Sequence, residues 1–301
     1  MKKIRLLIFA VLIGLVGLTA CSGGKEASQN AGTAENTVKT ESSTAKEASQ
    51  NANPAENTVE AVSSTAKEAS KLAEVSGDYY ESVPTEKNRV ELYKLNERLW
   101  VHKTYMDIGG VGTPSNGLIA ITSDGLFLVD TPWNNEQTGV LLKLAKDVFK
   151  QDITDAVITH AHADRIGGID TLLENDIEVR CIGLTAKEAE KNGFTKPGTI
   201  IGEEAAFSVG DIDIETYYPG RGHSPDNITV WFPRYKVLFG GCLLKSLDSK
   251  DKGSITDADL EQWSSSVRKL VDKYPDAEVV IPGHGQWGGL DILKHTEELV
   301  N

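Results

Sequence analysis

Two imidazoles and a carboxylate alternate within one short segment of this 301-residue chain, as His160, His162 and Asp164. They directly follow residues 155–159, an aliphatic and β-branched run that predicts a buried strand. Residues two apart on an extended segment project to the same side. Because imidazole and carboxylate groups are both zinc ligands, the spacing indicates a metal-binding loop at the end of a strand.

Three more candidate ligands each lie just past a predicted strand: His223, Cys242 and His284. Sites in α/β proteins collect at strand ends. A glycine precedes each of the three, and glycine lets the backbone turn sharply and approach an ion closely. Since thiolate, imidazole and carboxylate form the ligand set of zinc, the six residues together can fill two metal sites.

The remaining histidines and cysteine are expected to have structural roles. His102, in a predicted strand, and His295, on the last predicted helix, are expected to be hydrogen-bonded core or surface residues. Cys181 follows the predicted strand 177–180 and is expected to be a small buried apolar residue. One disulfide between Cys181 and Cys242 is arithmetically possible, but Cys242 is expected to hold metal instead.

The elements that must position these residues alternate between strands and helices. Successive apolar runs open the domain as an antiparallel meander over 98–105, 117–122 and 126–130. Apolar residues at helical spacing then predict a helix over 136–150.

The second half of the domain repeats this mixture. A Thr185-x-x-Glu188 pattern predicts a capping box at the start of a helix. Further strands are expected at 212–218, 228–232, 237–240 and 279–281. One helix is expected to face inward with Leu260, Trp263, Val267 and Leu270. A terminal helix is expected after the last of these strands. Strands with helices outside them predict an α/β fold of two packed sheets flanked by helices.

The N-terminus carries the features of an export signal. A positively charged start precedes an apolar run, so residues 1–20 are predicted to be a secretory signal and not a membrane span. Residues 18–21, Leu-Thr-Ala-Cys, resemble the lipobox of bacterial lipoproteins, whose cysteine is acylated and becomes the new N-terminus. Cys21 is therefore expected to anchor the protein to a membrane, facing the periplasm or, in a Gram-positive cell, the outside. An ordinary signal followed by a cysteine is the alternative.

The residues after the anchor have the composition of a tether. Residues 21–77 contain almost no aromatic or large aliphatic side chains, and a Lys-Glu-Ala-Ser-Gln-Asn hexapeptide occurs at 25–30 and again at 46–51. Such a segment cannot bury enough apolar surface to offset the entropy of ordering it. We expect a disordered spacer; a duplicated tract without a selected length is the alternative.

Residues 78–301 are long enough for one domain with a proper core, and they contain all five Trp and all six His residues. The chain carries a net charge of −13, and removal of the basic signal would make it more acidic. Acidic proteins of this kind bind nucleic acids and anionic membranes poorly. No exposed apolar helix is obvious, so we expect a monomer.

Several motifs together resemble the metallo-β-lactamase family: 160–168, 220–223, 226–227, 240–245 and 282–285. The usual motif of the wider superfamily is His-x-His-x-Asp-His, with a bridging Asp later in the chain. In this sequence Arg165 takes the place of the final His, and Cys242 stands where the later Asp is expected. Both differences mark the β-lactamase subclass with a three-histidine site and an Asp-Cys-His site.

This resemblance, which covers most of residues 90–301, implies a four-layer αβ/βα sandwich and two Zn²⁺ ions per chain. It implies that His160, His162 and His223 hold the first zinc, and that Asp164, Cys242 and His284 hold the second. Zinc lowers the pKa of a bound water toward neutrality, which would supply a hydroxide to open the ring of β-lactam antibiotics. Asp164 is expected to orient that water as well as to ligate.

The resemblance also implies residues that contact the substrate. Lys245 matches the lysine that binds the carboxylate beside the lactam ring, with a solvated surface lysine as the alternative. The segment 107–114 resembles a mobile hairpin over the substrate and brings Val111 to the site. Trp133 resembles an aromatic on the site floor, with simple core packing as the alternative. Ser254 replaces the usual Asn, which is thought to donate a hydrogen bond toward the lactam carbonyl.

Two other functions remain open at this point. A different hydrolase of the superfamily, such as a thioesterase or lactonase, would use the same metals, although Arg165 and Cys242 argue against it. A non-catalytic zinc-binding surface lipoprotein is the second alternative. Such binders tend to carry His-rich tracts, and the predicted tether contains no His.

Overall fold

The computed structural model describes residues 79–301. The predicted signal peptide, the predicted anchor Cys21 and the predicted tether lie outside the described residues. Among the residues described, no helix is both long enough and apolar enough to cross a membrane.

The first sheet contains eight strands that follow one another in chain order. The strands are β1 (Tyr79–Ser82), β2 (Val90–Lys94), β3 (Leu99–Ile108), β4 (Val111–Ile121), β5 (Leu126–Val129), β6 (Ile153–Val157), β7 (Glu178–Ile182) and β8 (Thr199–Ile201). Strands β1 to β5 pair antiparallel, so the predicted opening meander is confirmed. From β5 to β8 the pairing is parallel, because helices carry the chain back between the strands.

The second sheet contains five strands in the order β13-β12-β11-β10-β9. They are β9 (Glu204–Val209), β10 (Ile212–Tyr217), β11 (Thr229–Phe232), β12 (Val237–Gly241) and β13 (Val279–Pro282). Strands β9 to β12 are antiparallel, and β13 pairs parallel to β12. The parallel pair brings the C-terminal ends of β12 and β13 to the same edge of the sheet.

Helices cover the outer faces of both sheets. Within 79–301 they are α1 (Asn135–Phe149), α2 (Ala163–Ile166), α3 (Ile169–Glu174), α4 (Gly183–Lys191), α5 (Trp263–Lys273) and α6 (Asp291–Val300). One apolar cluster packs α1, α3 and α4 against the first sheet, another packs α5 and α6 against the second, and a third fills the space between the sheets. The layers are therefore helix, sheet, sheet and helix, and the predicted αβ/βα sandwich is confirmed.

Two details of the helix predictions are wrong. Helix α4 begins at Gly183, so Thr185 is already inside it and does not cap it; its hydroxyl instead contacts the carbonyl of Asp226 at 3.4 Å. Helix α5 begins at Trp263, and the preceding Leu260 is 45% exposed. The other three residues expected on its inner face, Trp263, Val267 and Leu270, are buried. The apolar pattern extends about one turn before the first residue of α5. The spacing of apolar residues does not show where a helix begins to pack against the sheet.

Candidate metal centre

Four loops from both sheets meet at one edge of the sandwich. His160, His162 and Asp164 follow β6, and His223 lies in the connection between β10 and β11. Cys242 directly follows β12 and His284 follows β13. Each loop contributes ligand candidates because the strands before them run to the same edge, and the sequence had predicted these strand-end positions.

The three candidate imidazoles of the first site lie against one another. The ring centroids of His160, His162 and His223 are 4.7 to 5.1 Å apart. Burial lowers the pKa of His160 and of His223 well below the usual value, which keeps both rings neutral. Neutral imidazole is the form that binds metal.

Two ring nitrogens in this cluster are buried without a hydrogen-bond partner, His160 Nε2 and His223 Nδ1. His223 turns its other nitrogen, Nε2, toward His162 Nδ1 at 3.1 Å, so its unpaired Nδ1 lies on a different side of the ring from the cluster. Leaving a buried polar atom unpaired costs about 1–3 kcal/mol. A cation held among the rings would give His160 Nε2 a partner.

Asp164, Cys242 and His284 form the second part of the cluster. The Cys242 Sγ lies 3.2 Å from Asp164 Oδ2 and 3.3 Å from His284 Nε2, and His284 Nε2 lies 3.1 Å from Asp164 Oδ2. The other ring nitrogen, His284 Nδ1, contacts the carbonyl of Pro114 at 2.6 Å. That contact fixes the ring orientation and turns Nε2 toward the acid and the thiol.

The charges of this second group depend on one another. Burial alone would raise the pKa of Asp164, but the Arg165 cation and the His284 hydrogen bond outweigh it and hold the pKa well below its usual range. Burial opposes a charge on His284, yet Cys242 and Asp164 together raise its pKa to about 10. A proton on His284 Nε2 thus lies beside the Asp164 carboxylate and the Cys242 sulfur, in the position where a metal cation would replace it.

The six side chains are close enough to hold metal. Three overlapping groups have their candidate ligand atoms within 4.8 Å of one another: Asp164 with Cys242 and His284, His160 with His162 and Asp164, and His160 with His223 and Cys242. The first group is the predicted Asp-Cys-His site, and the imidazoles of the predicted three-histidine site are divided between the other two. Nitrogen, sulfur and carboxylate donors fit zinc.

Arg165 was expected from the sequence only as a mark of the subclass, and the structure shows that it also supports the ligands. It is fully buried, and its Nε donates to Asp164 Oδ2 at 2.9 Å. Its other nitrogens donate to the carbonyl of Gly283 at 2.7 Å and to the carbonyl of Asn116, and one lies 3.4 Å from Asp130 Oδ2. One guanidinium therefore links a ligand loop to β4 and to the segment before His284. The sequence shows an Arg beside a ligand but not its burial.

Two more supporting acids were not identified from the sequence. Asp257 Oδ2 lies 2.9 Å from His162 Nε2, across 95 residues of chain. Asp130 is buried and accepts two hydrogen bonds from Thr159, the residue before His160, at 2.7 and 2.8 Å. Both acids hold the first ligand loop in place from outside, and neither lies in a recognisable local motif.

A cavity of about 1010 Å³ opens over the cluster. Trp133, Lys245 and Ser254 line it, as do Ile108 and Thr113 of the predicted hairpin. The hairpin is present between β3 and β4, with its turn at Gly109 and Gly110, which both have positive φ. Val111 is 66% exposed beside that turn and is not among the lining residues, because it lies at the hairpin tip.

The lining residues named from the sequence differ in their surroundings. Trp133 is half-buried, with its ring centroid 6.1 Å from that of His284. Lys245 is 8% exposed, its Nζ lies 5.2 Å from the centroid of Trp263, and burial lowers its pKa. Ser254 is exposed, and its Oγ lies 3.5 Å from the Thr256 hydroxyl.

The structural roles expected of His102, His295 and Cys181 are confirmed. His102 Nε2 contacts the carbonyl of Asp130 at 3.1 Å, and burial lowers the pKa of the ring to about 4. His295 Nε2 contacts the carbonyl of Ser249 at 3.2 Å. Cys181 is buried within β7, where burial raises its pKa to about 12, and it forms no disulfide with Cys242.

The chain is similar to known proteins in sequence and in fold. The family model of the metallo-beta-lactamase superfamily matches residues 109–284, which include all six candidate ligands. The metallo-beta-lactamase type 2 of Bacillus cereus is 41% identical over 221 residues, 73% of this chain and 86% of that protein. The enzyme of the same name from Bacteroides fragilis is 33% identical over 213 residues, 70% of this chain and 86% of that protein. The solved structure of a metallo-beta-lactamase from Pontibacter korlensis superposes with a TM-score of 0.69 at 38% identity and covers 70% of this chain and 98% of that chain.

Proposed function

The chain belongs to the metallo-β-lactamase superfamily, and we propose that it hydrolyses the β-lactam ring of antibiotics with two zinc ions held by the six-residue cluster. The observation that carries this proposal is the contact of Cys242 Sγ with Asp164 and His284 at 3.2 and 3.3 Å, beside the buried Arg165. A thiolate in this position, with Arg in place of a further His, distinguishes the ligand set from that of other superfamily hydrolases. The relatives similar to this chain are named metallo-beta-lactamases.

His160, His162 and His223 would hold one ion, and Asp164, Cys242 and His284 the other. When bound, zinc lowers the pKa of water and polarises carbonyl oxygens, which is the chemistry that amide hydrolysis requires. The side chains of the protein do the positioning. Asp164 stays ionised because of Arg165. Its carboxylate can therefore bind metal and also accept a hydrogen bond from a water molecule, which would orient that water.

The walls of the cavity bind and orient the substrate. Lys245 presents a buried ammonium group, which suits the carboxylate beside the lactam ring. Ile108 and Thr113 of the hairpin and Trp133 form apolar and mixed surface over the ligands, where they can cover the rest of the ring and exclude water. These contacts place the scissile amide over the cluster.

Turnover of a chromogenic cephalosporin by the zinc-loaded protein tests the proposed function. Thioester and lactone substrates should be assayed alongside at equal concentration. We expect kcat/KM for the cephalosporin to exceed kcat/KM for the thioester and for the lactone. Preferred turnover of the thioester or lactone would indicate another superfamily hydrolase, and zinc binding without any turnover would indicate a binding protein.

Replacing Lys245 by Ala should mainly raise KM for lactams that carry the ring carboxylate. A charge-assisted hydrogen bond is worth about 1.5–3 kcal/mol, so kcat/KM should fall by roughly tenfold to a hundredfold. Lys250→Ala is the matched control, because Lys250 lies in the same loop, is exposed and does not line the cavity. If both variants keep the kcat/KM of the unmodified enzyme, Lys245 has no part in substrate binding.

Ser254 is expected to contribute little. Its side chain is exposed, and its hydroxyl makes only a long contact of 3.5 Å with the hydroxyl of Thr256. Such a weak contact does not fix the direction of the Ser254 hydroxyl in the cavity. We expect Ser254→Ala and Ser254→Asn each to change kcat/KM by less than about tenfold, or about 1.4 kcal/mol. A hundredfold loss in Ser254→Ala at unchanged zinc content would make the hydroxyl an essential donor.

We also propose that the protein is exported, anchored through a lipidated Cys21 and monomeric. The basic start, the apolar run and the Leu-Thr-Ala-Cys sequence at 18–21 support export and lipidation. The composition of 21–77 suits a spacer that holds the catalytic domain away from the membrane. Mass spectrometry of the mature N-terminus tests the anchor, and an unmodified N-terminus would exclude it.

A further inference from the structure

The backbone between the first two ligands is tied on both sides. The Ala161 N–H donates to Asp226 Oδ2 at 2.9 Å, and the Ala161 carbonyl accepts from Asn192 Nδ2 at 2.8 Å. These two groups belong to the peptide units that join Ala161 to His160 on one side and to His162 on the other. Since Ala161 has only two soft backbone dihedrals, holding both peptide units restrains the backbone from which the His160 and His162 side chains project.

The two partners of Ala161 reach it from distant parts of the chain. Asp226 is buried in the connection between β10 and β11, close in sequence to His223. Asn192 is the C-cap residue that directly follows α4, a helix that packs against the first sheet. The end of this helix therefore supplies the donor to the carbonyl.

We propose that Asn192 is a positioning residue for the three-histidine metal site. Its side-chain amide holds the carbonyl of Ala161 and thereby sets the spacing and direction of His160 and His162. The proposal rests on the proposed function, because it requires that these imidazoles bind metal. Groups that hydrogen-bond to a ligand side chain typically change metal affinity by about tenfold to a hundredfold when removed. Asn192 acts through the backbone between two ligands, so we expect an effect at the lower end of that range.

Asn192 also lines the cavity, which offers it a second role as a direct substrate contact. The hydrogen bond to Ala161 favours positioning, because it uses the amide donor of Asn192 within the protein. The two roles predict different results. A positioning residue changes metal affinity at the histidine site without substrate present, whereas a substrate contact changes KM alone.

Asn175 is a matched control for Asn192. It ends helix α3 as Asn192 ends α4, and its Nδ2 also donates to a backbone carbonyl at 2.8 Å, that of Thr171 in its own helix. Substituting Asn175 by Ala therefore removes the same type of hydrogen bond at the same type of helix end, away from the ligand loops.

The test is cobalt titration of the metal-free full-length protein and its Asn192→Ala and Asn175→Ala variants, followed by absorption. Visible ligand-field bands report bound cobalt at either site, and a thiolate-to-cobalt charge-transfer band reports cobalt on Cys242, so ligand-field absorption that grows without the thiolate band reports cobalt among the histidines. In Asn192→Ala we expect filling of the histidine site to require about tenfold more cobalt, with its bands altered. The thiolate band should fill as in the unmodified protein, and Asn175→Ala should match the unmodified protein in both.

Other outcomes separate the failures. Histidine-site bands that fill equally in Asn192→Ala and the unmodified protein overturn the positioning role, and a raised KM alone would then make Asn192 a substrate contact. Loss of both bands in Asn192→Ala would show a general structural effect and would also overturn the proposal. If the unmodified protein shows neither band, the metal centre itself is wrong, and the proposed function fails with it.

Discussion

Treatment with a metal chelator should lower cephalosporin hydrolysis by at least about a thousandfold, and added zinc should restore it. Four of the six candidate ligands line the cavity, His162, Asp164, His223 and His284, and each belongs to a group whose ligand atoms lie within 4.8 Å of one another. Loss of several kcal/mol of metal-supplied stabilisation corresponds to that factor. Initial rates before and after chelation, with zinc content measured in parallel, check the prediction.

The two cysteines provide a control for the second ion. Cys242→Ala removes a donor within 3.3 Å of Asp164 and His284, so its activity should fall most when zinc is limiting. Cys181→Ala removes a thiol that is equally buried but lies within β7, away from the cluster, and should bind zinc normally. Full activity of Cys242→Ala at limiting zinc would contradict the proposed Asp-Cys-His site.

Replacing Arg165 by Met should destabilise the protein by about 3–5 kcal/mol. The substitution removes the buried cation that Asp164 and Asp130 share, and breaking a buried ion pair by removing one partner carries a penalty of this size. It also leaves the carbonyls of Asn116 and Gly283 without a donor. Denaturant unfolding of the zinc-free protein measures the loss independently of metal binding.

Surface arginine and pH both provide controls for Arg165. Arg268 pairs with Glu297 on the exposed surface, so Arg268→Met should cost less than about 1 kcal/mol.

Burial raises the pKa of Asp130 to about 7, from a usual value of 3.8. Between these values the folded protein holds a proton that the unfolded chain has lost, so the contribution of Asp130 to stability falls as pH rises.

The penalty in Arg165→Met should therefore be smaller at pH 5, where Asp130 is neutral, than at pH 8. Arg165→Lys should recover only part of the loss, because one ammonium cannot match the planar fork that donates to Asp164 and Gly283 together. A cost for Arg165→Met no larger than that for Arg268→Met would show that the buried network does not stabilise the fold.

Much of the candidate site could be predicted from sequence because its ligands are chemically rare and follow recognisable strands. His160, His162 and Asp164 alternate directly after β6, and Cys242 and His284 each follow a glycine at a strand end. The meander and the paired sheets were also predictable, since alternating and aliphatic runs report burial locally. Strands β1, β8 and β9 were missed because most of their residues are exposed or half-buried, which weakens the apolar pattern. Strand β2 was also missed, although its first three residues are buried.

The sequence by itself determined which side chains can bind zinc and that they lie at strand ends, because residue type and local pattern are properties of neighbouring residues. Only the tertiary structure decided which residues hold these side chains in place. Arg165 donates to Asp164, Asp257 contacts His162, and Asn192 donates to the Ala161 carbonyl. These contacts join residues up to 95 positions apart, and ordinary polar side chains look alike in sequence whether they are solvated or buried. The packing of the two sheets determines which of these polar side chains come into contact, and a local sequence pattern does not predict those contacts.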